Sequence, residues 1–273
     1  MIKGTTKIIG IFGWPVEHTK SPAMHNAAFA HLGLDYCYVP FSVRPEDLRS
    51  AVDGIRALGL SGVNITVPHK EAVVPFLDEV AEDASCIGAV NTVKNENGIL
   101  KGHNTDGIGF MRSLEERGVQ AKGKKTLILG AGGAARAVGH AICKEAAECY
   151  IYNRTTEKGR ALYERLLKTG GNVHMADNAM IGDKGFLSGT DIIINTTSLG
   201  LAEADAPLVD ASLLNAGHVV CDLVYKKTRF LAEAEKAGCV TIDGLGMLLW
   251  QGVAAFEIWT GIKPPIEVMR KTL

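Results

Sequence analysis

The 273-residue sequence lacks an excess of positive charge, a long apolar run and a secretory signal. Its 29 Lys and Arg residues are balanced by 30 Asp and Glu residues, and no local run is strongly basic, so we expect no nucleic-acid partner. No apolar run approaches the roughly 18 residues that a membrane span requires, and the N-terminal apolar stretch is shorter still. We therefore expect a soluble cytoplasmic protein with no membrane partner.

Paired cysteines are also lacking. The six cysteines are scattered along the chain, and no C-x-x-C pair occurs, which is typical of reduced cytoplasmic thiols. The eight histidines are dispersed, and none stands at a ligand-like spacing from a cysteine or an acidic residue. The sequence therefore predicts no metal site.

Aromatic residues are few, at 6% of the sequence, whereas hydrophobic residues make up 47% and glycine occurs 31 times. This composition is ample for a core and excludes a disordered chain. Small aliphatic side chains with many glycines are typical of an α/β protein with tight turns. At about 150 residues per domain, the length corresponds to one large or two modest domains.

Short apolar runs alternate with helical patterns along the whole chain. In the first half, the predicted elements are a strand at 7–12, a helix opening at Ser21-Pro22, a strand at 36–42, a helix at 45–59 and a strand at 62–67. Two short strands then flank Asn97-Gly98, a pair that favours a hairpin turn. After a polar stretch at 120–125, strands and helices alternate as in a parallel doubly wound sheet. The prediction is an α/β fold of two domains.

A glycine motif opens the second half. Gly130, Gly132 and Ala135 have the spacing G-x-G-x-x-A between a predicted strand and a predicted helix. The first glycine permits a tight turn, the second allows the backbone to approach a pyrophosphate, and the helix N-terminus favours negative charge. The motif predicts a dinucleotide site. The alternative is an ordinary tight turn between a strand and a helix.

The next strand ends without the carboxylate that NAD enzymes place near the ribose. Asn153 and Arg154 stand there instead, with Lys158 in the following helix. A guanidinium group pairs bidentately with a phosphate, and a lysine adds a second positive charge. We therefore predict NADP rather than NAD. The alternative is that Arg154 is a solvated basic residue at a helix start.

Polar residues recur in the first half where strands are predicted to end. They occur at 18–22, 64–70, 88–92 and 104–107. Each has a structural alternative, such as a helix cap for Ser21 or Asp106 and ordinary strand content for Thr66. Their joint appearance at the carboxyl ends of successive strands favours a site for a small, oxygen-rich ligand.

Nine short motifs in this order resemble the shikimate dehydrogenase family over about residues 10–260. They are HTKSP (18–22), NITVPHK (64–70), GAVNT (88–92), NTDG (104–107), GAGGAARA (130–137), NRT (153–155), NTTSLG (195–200), DLVY (222–225) and GLGMLLWQ (244–251). The resemblance implies an oxidoreductase that reversibly reduces 3-dehydroshikimate to shikimate with NADPH, in chorismate and aromatic amino acid biosynthesis. It also implies a substrate-binding α/β domain (1–106 plus 244–273) with an inserted Rossmann-type domain (107–243), in a monomer or a homodimer.

The resemblance places the catalytic pair on Lys70 and Asp106. Hydride delivery to a carbonyl leaves an alkoxide that needs a proton donor within hydrogen-bond reach, and either residue of the pair could move that proton. The alternative is a surface salt bridge. The implied substrate contacts are Thr19, Ser21, Asn64, Thr66, Lys70, Asn91, Asp106, Tyr225 and Gln251. The implied NADP contacts are Gly130, Ala131, Gly132, Gly133, Ala134, Asn153, Arg154, Thr155, Lys158, Thr197, Leu223 and Gly244.

Three positions depart from the common family pattern. Thr19 stands where serine is usual, Trp14 stands where a small polar residue is usual, and Trp250 precedes Gln251 where small residues are common. The added methyl of Thr19 could shift preference among cyclohexane acids, which leaves a quinate/shikimate or aminoshikimate dehydrogenase as an alternative. The tryptophans contribute either packing or ligand contacts. A non-catalytic NADP(H)-binding sensor is the alternative from another class, although it would need neither Lys70 nor Asp106.

Overall fold

The computed structural model describes residues 2–200, 205 and 208–273. The chain folds into two compact units, unit 1 (1–109 and 248–273) and unit 2 (110–247). The unit boundaries lie a few residues C-terminal to the predicted domain limits at 106 and 243. Within the described ranges, no helix has both the length and the apolar character needed to cross a membrane.

Unit 1 is built on a mixed six-stranded sheet. Its strands are β1 (Lys7–Gly13), β2 (Tyr36–Ser42), β3 (Gly62–Ile65), β4 (Glu79–Val80), β5 (Thr92–Glu96) and β6 (Ile99–His103), in the order β2-β1-β3-β5-β6-β4. Strand β5 is antiparallel to both β3 and β6, and the remaining pairs are parallel. The helices that begin in this part of the chain are α1 (Ser21–His31), α2 (Leu48–Ala57), α3 (Glu82–Ile87) and α4 (Asp106–Glu116).

Strand β1 is buried on both sides, as expected for a central parallel strand. Ile9 and Ile11 belong to an apolar cluster with Phe29 of α1, whereas Phe12 belongs to a second cluster with Val52 of α2. The strand therefore lies between two layers of core. Its apolar sequence, KIIGIFG, follows from this burial.

Two predicted elements of unit 1 differ in length. The helix expected at 45–59 begins as a 3₁₀ turn, Pro45–Asp47, and continues as α2. The strand expected at 62–67 ends at Ile65, and Pro68, which has no N–H, follows shortly after. The predicted hairpin between β5 and β6 is confirmed, with Asn97 at φ 55° and Gly98 at φ 93°.

Unit 2 contains a fully parallel six-stranded sheet. Its strands are β7 (Lys125–Leu129), β8 (Glu148–Tyr152), β9 (Val173–Met175), β10 (Ile192–Asn195), β11 (Val219–Asp222) and β12 (Val240–Ile242), in the order β12-β11-β10-β7-β8-β9. Its helices are α5 (Gly133–Ile142), α6 (Thr156–Leu167), α7 (Asn178–Ile181), α8 (Lys184–Ser188) and α9 (Arg229–Lys236). The chain then continues through α10 (Gly244–Thr260) and α11 (Ile266–Arg270).

The strand order of unit 2 defines a switch point. From β7 the chain moves outward through β8 and β9, and it then returns to the other side of β7 as β10, β11 and β12. Doubly wound sheets bind ligands at the carboxyl ends of the strands where this reversal occurs. Apolar clusters cover both faces of the sheet. The predicted parallel doubly wound sheet is confirmed.

His25 of α1 is completely buried in unit 1. Its ring stacks on Tyr38 with centroids 4.6 Å apart, and neither ring nitrogen has a hydrogen-bond partner among the described residues. Burial without a partner disfavours the charged imidazolium and lowers the pKa of His25 to about 3. His25 is therefore neutral in the folded protein at physiological pH.

This depressed pKa predicts an acid-sensitive fold. The unfolded chain protonates His25 near pH 6.5 and the folded chain only near pH 3, so folding stability falls as the pH drops below 6.5. From His25 alone the loss is about 1.4 kcal/mol per pH unit, or about 2 kcal/mol between pH 6.5 and pH 5. Urea unfolding across this range should show a shallower pH dependence for His25→Leu than for wild type. The exposed His31→Leu serves as control, and identical slopes in all three proteins would contradict the prediction.

Candidate active site

Lys70 and Asp106 form an ion pair in unit 1. Lys70 lies in the turn after β3, and Asp106 is the first residue of α4, directly after β6. Lys70 Nζ lies 2.5 Å from Asp106 Oδ2, and the two side chains are only 16% and 6% exposed. The alternative of a surface salt bridge is therefore wrong. An ion pair this buried is costly to desolvate unless its remaining atoms are also satisfied.

The side-chain amide of Asn91 donates to the second carboxylate oxygen of Asp106. Asn91 Nδ2 donates to Asp106 Oδ1 at 2.8 Å and to Thr105 Oγ1 at 2.9 Å, while Asn91 Oδ1 accepts from the Thr105 N–H at 2.9 Å. Both carboxylate oxygens of Asp106 thus accept hydrogen bonds from groups that can only donate. Lys70 keeps two of its three N–H donors for another partner.

The position of Asn91 corrects one expectation. The motif GAVNT predicts that Asn91 follows a strand end, but Asn91 precedes β5, which runs antiparallel to its neighbours. The start of an antiparallel strand lies at the same sheet edge as the carboxyl ends of β3 and β6. Asn91 therefore still reaches the edge that carries Lys70 and Asp106, because β5 starts at that edge and runs away from it to the hairpin at the opposite edge.

Two more predicted residues join this group through Asn91. Asn64 of β3 donates from Nδ2 to the Asn91 carbonyl at 3.0 Å and to Thr92 Oγ1 at 3.1 Å. Gln251 of α10 lies with Oε1 3.5 Å from Asn91 Nδ2, and its own Nε2 is held by the Leu248 carbonyl at 2.8 Å. Asn64, Lys70, Asn91, Asp106 and Gln251 are therefore assembled in one buried network.

The predicted hydroxyl groups of Thr19, Ser21 and Thr66 follow β1 and β3, two parallel strands whose carboxyl ends share one edge of the sheet. Thr66 packs its methyl group against Gly13, and Thr19 donates its N–H to the Val16 carbonyl at 3.2 Å. Ser21 does not cap α1 as its structural alternative predicts, since Lys20 holds the N-cap position and no side chain caps the helix.

The donor capacity of these hydroxyls is unused. Ser21 and Thr66 make no side-chain hydrogen bond to any described residue, and Thr19 Oγ1 only accepts, from the Ser21 N–H at 3.3 Å. Buried or half-buried hydroxyls in this state suit a ligand that accepts hydrogen bonds. Tyr225, the remaining predicted substrate contact, lies in unit 2 in the loop after β11 and is half exposed.

The glycine turn of unit 2 lies at the switch point of its sheet. Gly130 has φ 115°, and a Cβ there would lie 2.4 Å from Thr196 Oγ1 and 2.9 Å from the Thr197 methyl. Only glycine fits this conformation and this close approach. Gly132 has open space where a side chain would stand and is the N-cap of α5, which no side chain caps.

Ala131, Gly133 and Ala134 complete this turn between β7 and α5. No side chain caps α5 and only small residues stand in the turn, so the first N–H groups of the helix are available to a pyrophosphate. The residues present therefore fit a dinucleotide.

The loop after β8 carries the predicted 2′-phosphate contacts. Asn153 Nδ2 donates to the Thr155 carbonyl at 2.8 Å and shapes the loop, while Arg154, Thr155 and Lys158 are exposed. Two cations and no strand-end carboxylate are consistent with NADP. The charged groups stand on the loop and on the first turn of α6.

Two of the predicted nicotinamide contacts, Thr197 and Leu223, are held by Asn195, which the sequence did not identify as a site residue. Asn195, at the end of β10, accepts from Thr197 Oγ1 at 2.7 Å through its side chain, and its carbonyl accepts from the Leu223 N–H at 3.0 Å. A Cβ on Gly244 would lie 2.3 Å from the Leu223 carbonyl oxygen, so a side chain there is excluded. Asn195 thus fixes the loops after β10 and β11 together.

Asp222 is the second missed residue of unit 2. Asn195 Nδ2 donates to Asp222 Oδ1 at 3.0 Å, and Thr228 Oγ1 donates to Asp222 Oδ2 at 2.7 Å. Burial raises the pKa of Asp222 above its ordinary value, although the hydrogen bonds oppose the shift. Its sequence signals were its place at a predicted strand end and at the start of the motif DLVY, neither of which indicated a buried carboxylate.

Unit 2 has a glycine turn that fits a pyrophosphate, and unit 1 has a buried lysine–aspartate pair. These two features are expected of the class of oxidoreductases that use a nicotinamide dinucleotide and a small, oxygen-rich substrate.

Comparison with known proteins gives the family. The family profiles that match are the shikimate dehydrogenase substrate binding domain over residues 11–93, shikimate / quinate 5-dehydrogenase over 113–213 and the shikimate 5'-dehydrogenase C-terminal domain over 244–273. The NADP(+) shikimate dehydrogenase of Methanothermobacter thermautotrophicus is 48% identical, over 100% of this chain and 98% of that protein. The chain belongs to the shikimate dehydrogenase family.

Solved structures agree with this assignment. The shikimate dehydrogenase of Aquifex aeolicus has a TM-score of 0.93 at 41% identity, covering 100% of this chain and 99% of that one. The quinate dehydrogenase of Corynebacterium glutamicum in complex with NAD has a TM-score of 0.89 at 34% identity, covering 98% of each chain. The predicted family, the two-domain α/β fold and the class of NADP-dependent oxidoreductases are therefore confirmed, whereas the roles of individual residues stay predictions.

Proposed function

We propose that this protein catalyses the reversible, NADPH-dependent reduction of 3-dehydroshikimate to shikimate, a step of aromatic amino acid biosynthesis. The observation that carries the proposal is the buried Lys70–Asp106 pair, in which Asn91 holds the second carboxylate oxygen. A chain that only binds its ligand has no need to bury a charged pair, because the desolvation cost brings no benefit to binding alone. The sensor alternative is therefore disfavoured.

Lys70 is the proton donor in this proposal. When bound, NADPH supplies a hydride to the carbonyl carbon of the substrate. Lys70 then gives a proton to the resulting alkoxide oxygen, and in the reverse direction it takes up the hydroxyl proton. Asp106 does not carry the proton, since both its oxygens accept from donor-only groups. Its role is to hold the ammonium group in place.

The polar groups around this pair suit a ring with several hydroxyls and a carboxylate. Thr19, Ser21 and Thr66 offer unused hydroxyl donors, and the amides of Asn64 and Gln251 lie beside Asn91. Donors suit the carboxylate, and mixed donors and acceptors suit the ring hydroxyls. Tyr225 completes the proposed substrate contacts.

On the cofactor side, the turn at 130–134 binds the pyrophosphate in this proposal. Arg154, with Lys158 and the polar groups of Asn153 and Thr155, binds the 2′-phosphate. Thr197, Leu223 and Gly244 line the nicotinamide.

Quinate is the second candidate substrate. The family profile over residues 113–213 covers shikimate and quinate enzymes, and a quinate dehydrogenase is a structural neighbour. Thr19, with its extra methyl group, is the residue of this chain that could change the fit of the ring.

We expect fast turnover for shikimate with NADP+, and at least about 100-fold lower kcat/KM for the other three combinations of shikimate or quinate with NADP+ or NAD+. NAD+ lacks the 2′-phosphate and leaves the cations of the cofactor site unpaired, whereas quinate brings an additional ring hydroxyl that the substrate site must accommodate and pair. Absorbance of the reduced nicotinamide at 340 nm measures all four rates. Comparable rates with quinate would assign the relaxed alternative, and no turnover by folded protein that binds NADPH would refute the proposed function.

We further propose that the protein acts in the cytoplasm as a monomer or a homodimer. None of the six cysteines, all of which lie in the described ranges, forms a disulfide bond, which suits a reducing compartment. Size-exclusion chromatography with light scattering distinguishes the two oligomeric states, and any larger assembly would contradict the proposal.

A further inference from the structure

Tyr38 of β2 brings a hydroxyl group into the core of unit 1, next to the candidate substrate site. The residue is 1% exposed, yet its Oη lies 2.7 Å from Asn64 Oδ1. Tyr38 belongs neither to the proposed catalytic pair nor to the proposed ligand contacts. Its hydroxyl group therefore needs an explanation of its own.

The hydrogen bonds fix which atom donates. Asn64 Nδ2 faces the backbone carbonyl of Asn91 at 3.0 Å, and a carbonyl oxygen can only accept. The nitrogen of the amide must consequently lie on that side, and its second proton goes to Thr92 Oγ1 at 3.1 Å. The oxygen of Asn64 then faces Tyr38, so that the tyrosine hydroxyl donates.

This arrangement leaves Asn64 with a single unused hydrogen-bonding position. Both N–H groups are occupied, and one lone pair of Oδ1 accepts from Tyr38, so only the other lone pair of Oδ1 is unused among the described residues. Asn64 can therefore meet a ligand only as an acceptor. A ring hydroxyl that donates its proton fits this position, and a carboxylate does not.

Helix α1 holds Tyr38 from two sides. Asn26 accepts from the Tyr38 N–H and donates to the Tyr38 carbonyl, both at 2.8 Å, which takes the place of a neighbouring strand at this edge of the sheet. The neutral ring of His25 stacks on the Tyr38 ring at an interplanar angle of 14°. The ring and backbone of Tyr38 are thus both fixed, so that the hydroxyl points to one place.

We propose that Tyr38 is a positioning residue that holds Asn64 as a hydrogen-bond acceptor for a substrate hydroxyl group. The inference rests on the proposed function, because that function makes Asn64 a substrate contact. It adds that Asn64 accepts the hydrogen bond from the substrate and that Tyr38 determines this direction. Tyr38 acts through Asn64 and does not touch the reacting atoms.

The first test compares Tyr38→Phe with Tyr36→Phe. Tyr36 lies two positions earlier on β2 and stacks on Phe29, but its hydroxyl makes no hydrogen bond to any described residue, so it is a matched control. We expect Tyr38→Phe to raise the KM for shikimate about 10-fold, with kcat and the KM for NADP+ within 2-fold of wild type. Tyr36→Phe should change none of these. Equal KM values for the two variants would overturn the proposal.

A double-mutant cycle with Asn64→Ala separates positioning from general loosening of the core. If Tyr38 acts through Asn64, Tyr38→Phe should have no further effect on the KM in the Asn64→Ala background. A tenfold effect in both backgrounds would show that Tyr38 only supports the fold, and would overturn the proposal.

A measurement without turnover keeps this inference distinct from the proposed function. In wild-type protein, the side-chain amide protons of Asn64 should exchange with solvent at least 10-fold more slowly than those of exposed Asn97, and Tyr38→Phe should reduce that difference, because the amide then loses the partner that fixes its oxygen. NMR of the amide groups reports both rates. If wild-type protein lacked turnover, the proposed function would fail while this comparison still decided the role of Tyr38. Equal exchange of Asn64 and Asn97 in wild type would overturn it even if no variant folded.

Discussion

Lys70→Met lowers kcat for shikimate oxidation by about 1000-fold in our expectation, which lies within the range measured for removing a general acid or base. Methionine keeps an unbranched side chain of similar length but removes the ammonium group that carries the proton. The KM for NADP+ should stay within 2-fold of wild type, because the nucleotide contacts belong to unit 2. Stopped-flow absorbance at 340 nm measures the rate, and thermal unfolding checks that the variant is folded.

Lys101→Met is the matched control. Lys101 of β6 also lies in unit 1 and also forms an ion pair, with Glu79 at 3.2 Å, but both side chains are well exposed. Exposed pairs contribute little to stability, so this variant should keep wild-type kcat and nearly wild-type stability. A Lys70→Met enzyme with more than a tenth of the wild-type kcat would exclude Lys70 as the proton donor.

The proposed mechanism also predicts different effects of substituting Lys70 and Asp106. Asp106→Asn keeps the shape of the side chain but replaces one of its acceptor oxygens with an NH₂ donor. That NH₂ group must face either Lys70 or Asn91, and both of these residues also present donors. The lysine loses its anionic partner but keeps its proton. We therefore expect a smaller loss of kcat than for Lys70→Met. A larger loss than for Lys70→Met would assign the proton to Asp106.

The parts of the fold that the sequence predicts are those with a local cause. The glycine turn at Gly130 is predictable because a positive φ and a close approach both demand glycine, and strand–turn–helix context is visible in the letters. The hairpin at Asn97-Gly98 is predictable for the same reason. Long apolar strands and helices such as β1 and α6 show their period clearly.

Short elements escaped prediction. Strand β4 has two residues and α7 has four, so neither contains a full period of a hydrophobic pattern. Strands β9 and β12, with three residues each, owe their existence to a neighbouring parallel strand rather than to their own sequence. Their pairing is a property of the assembled sheet.

The candidate site likewise contains residues that the sequence predicts and residues that only the fold reveals. Lys70, Asn91 and Asp106 were predicted because they lie in polar motifs shared with the family, although the sequence did not show that Asn91 precedes a strand instead of following one. Tyr38 was missed because a tyrosine in a strand is ordinary strand content. Its proposed role depends on contacts with Asn26, 12 positions earlier, and Asn64, 26 positions later, and only the fold brings these residues together.

Arg154→Glu should reverse the choice of cofactor. The guanidinium group of Arg154 is exposed on the loop after β8, where it is free to pair with a 2′-phosphate, and a glutamate there repels that phosphate instead. We expect kcat/KM for NADP+ to fall about 100-fold, which corresponds to the loss of one or two hydrogen bonds to a charged group. The value for NAD+ should hold or rise, because a carboxylate at this point can accept hydrogen bonds from the ribose hydroxyls.

Arg160→Glu distinguishes this local role from the overall change of charge. Arg160 is an exposed arginine of α6, in the same loop–helix segment but beyond its first turn. The substitution Arg160→Glu imposes the same change of two charge units on unit 2. A long-range electrostatic effect would therefore lower kcat/KM for NADP+ in both variants, and more strongly at low ionic strength. If the 2′-phosphate pairs with Arg154, only Arg154→Glu loses NADP+, and most of the loss persists at 0.5 M salt because close pairs are screened less than distant charges. Equal losses in the two variants would assign the preference for NADP to the general field of the unit instead of to this one side chain.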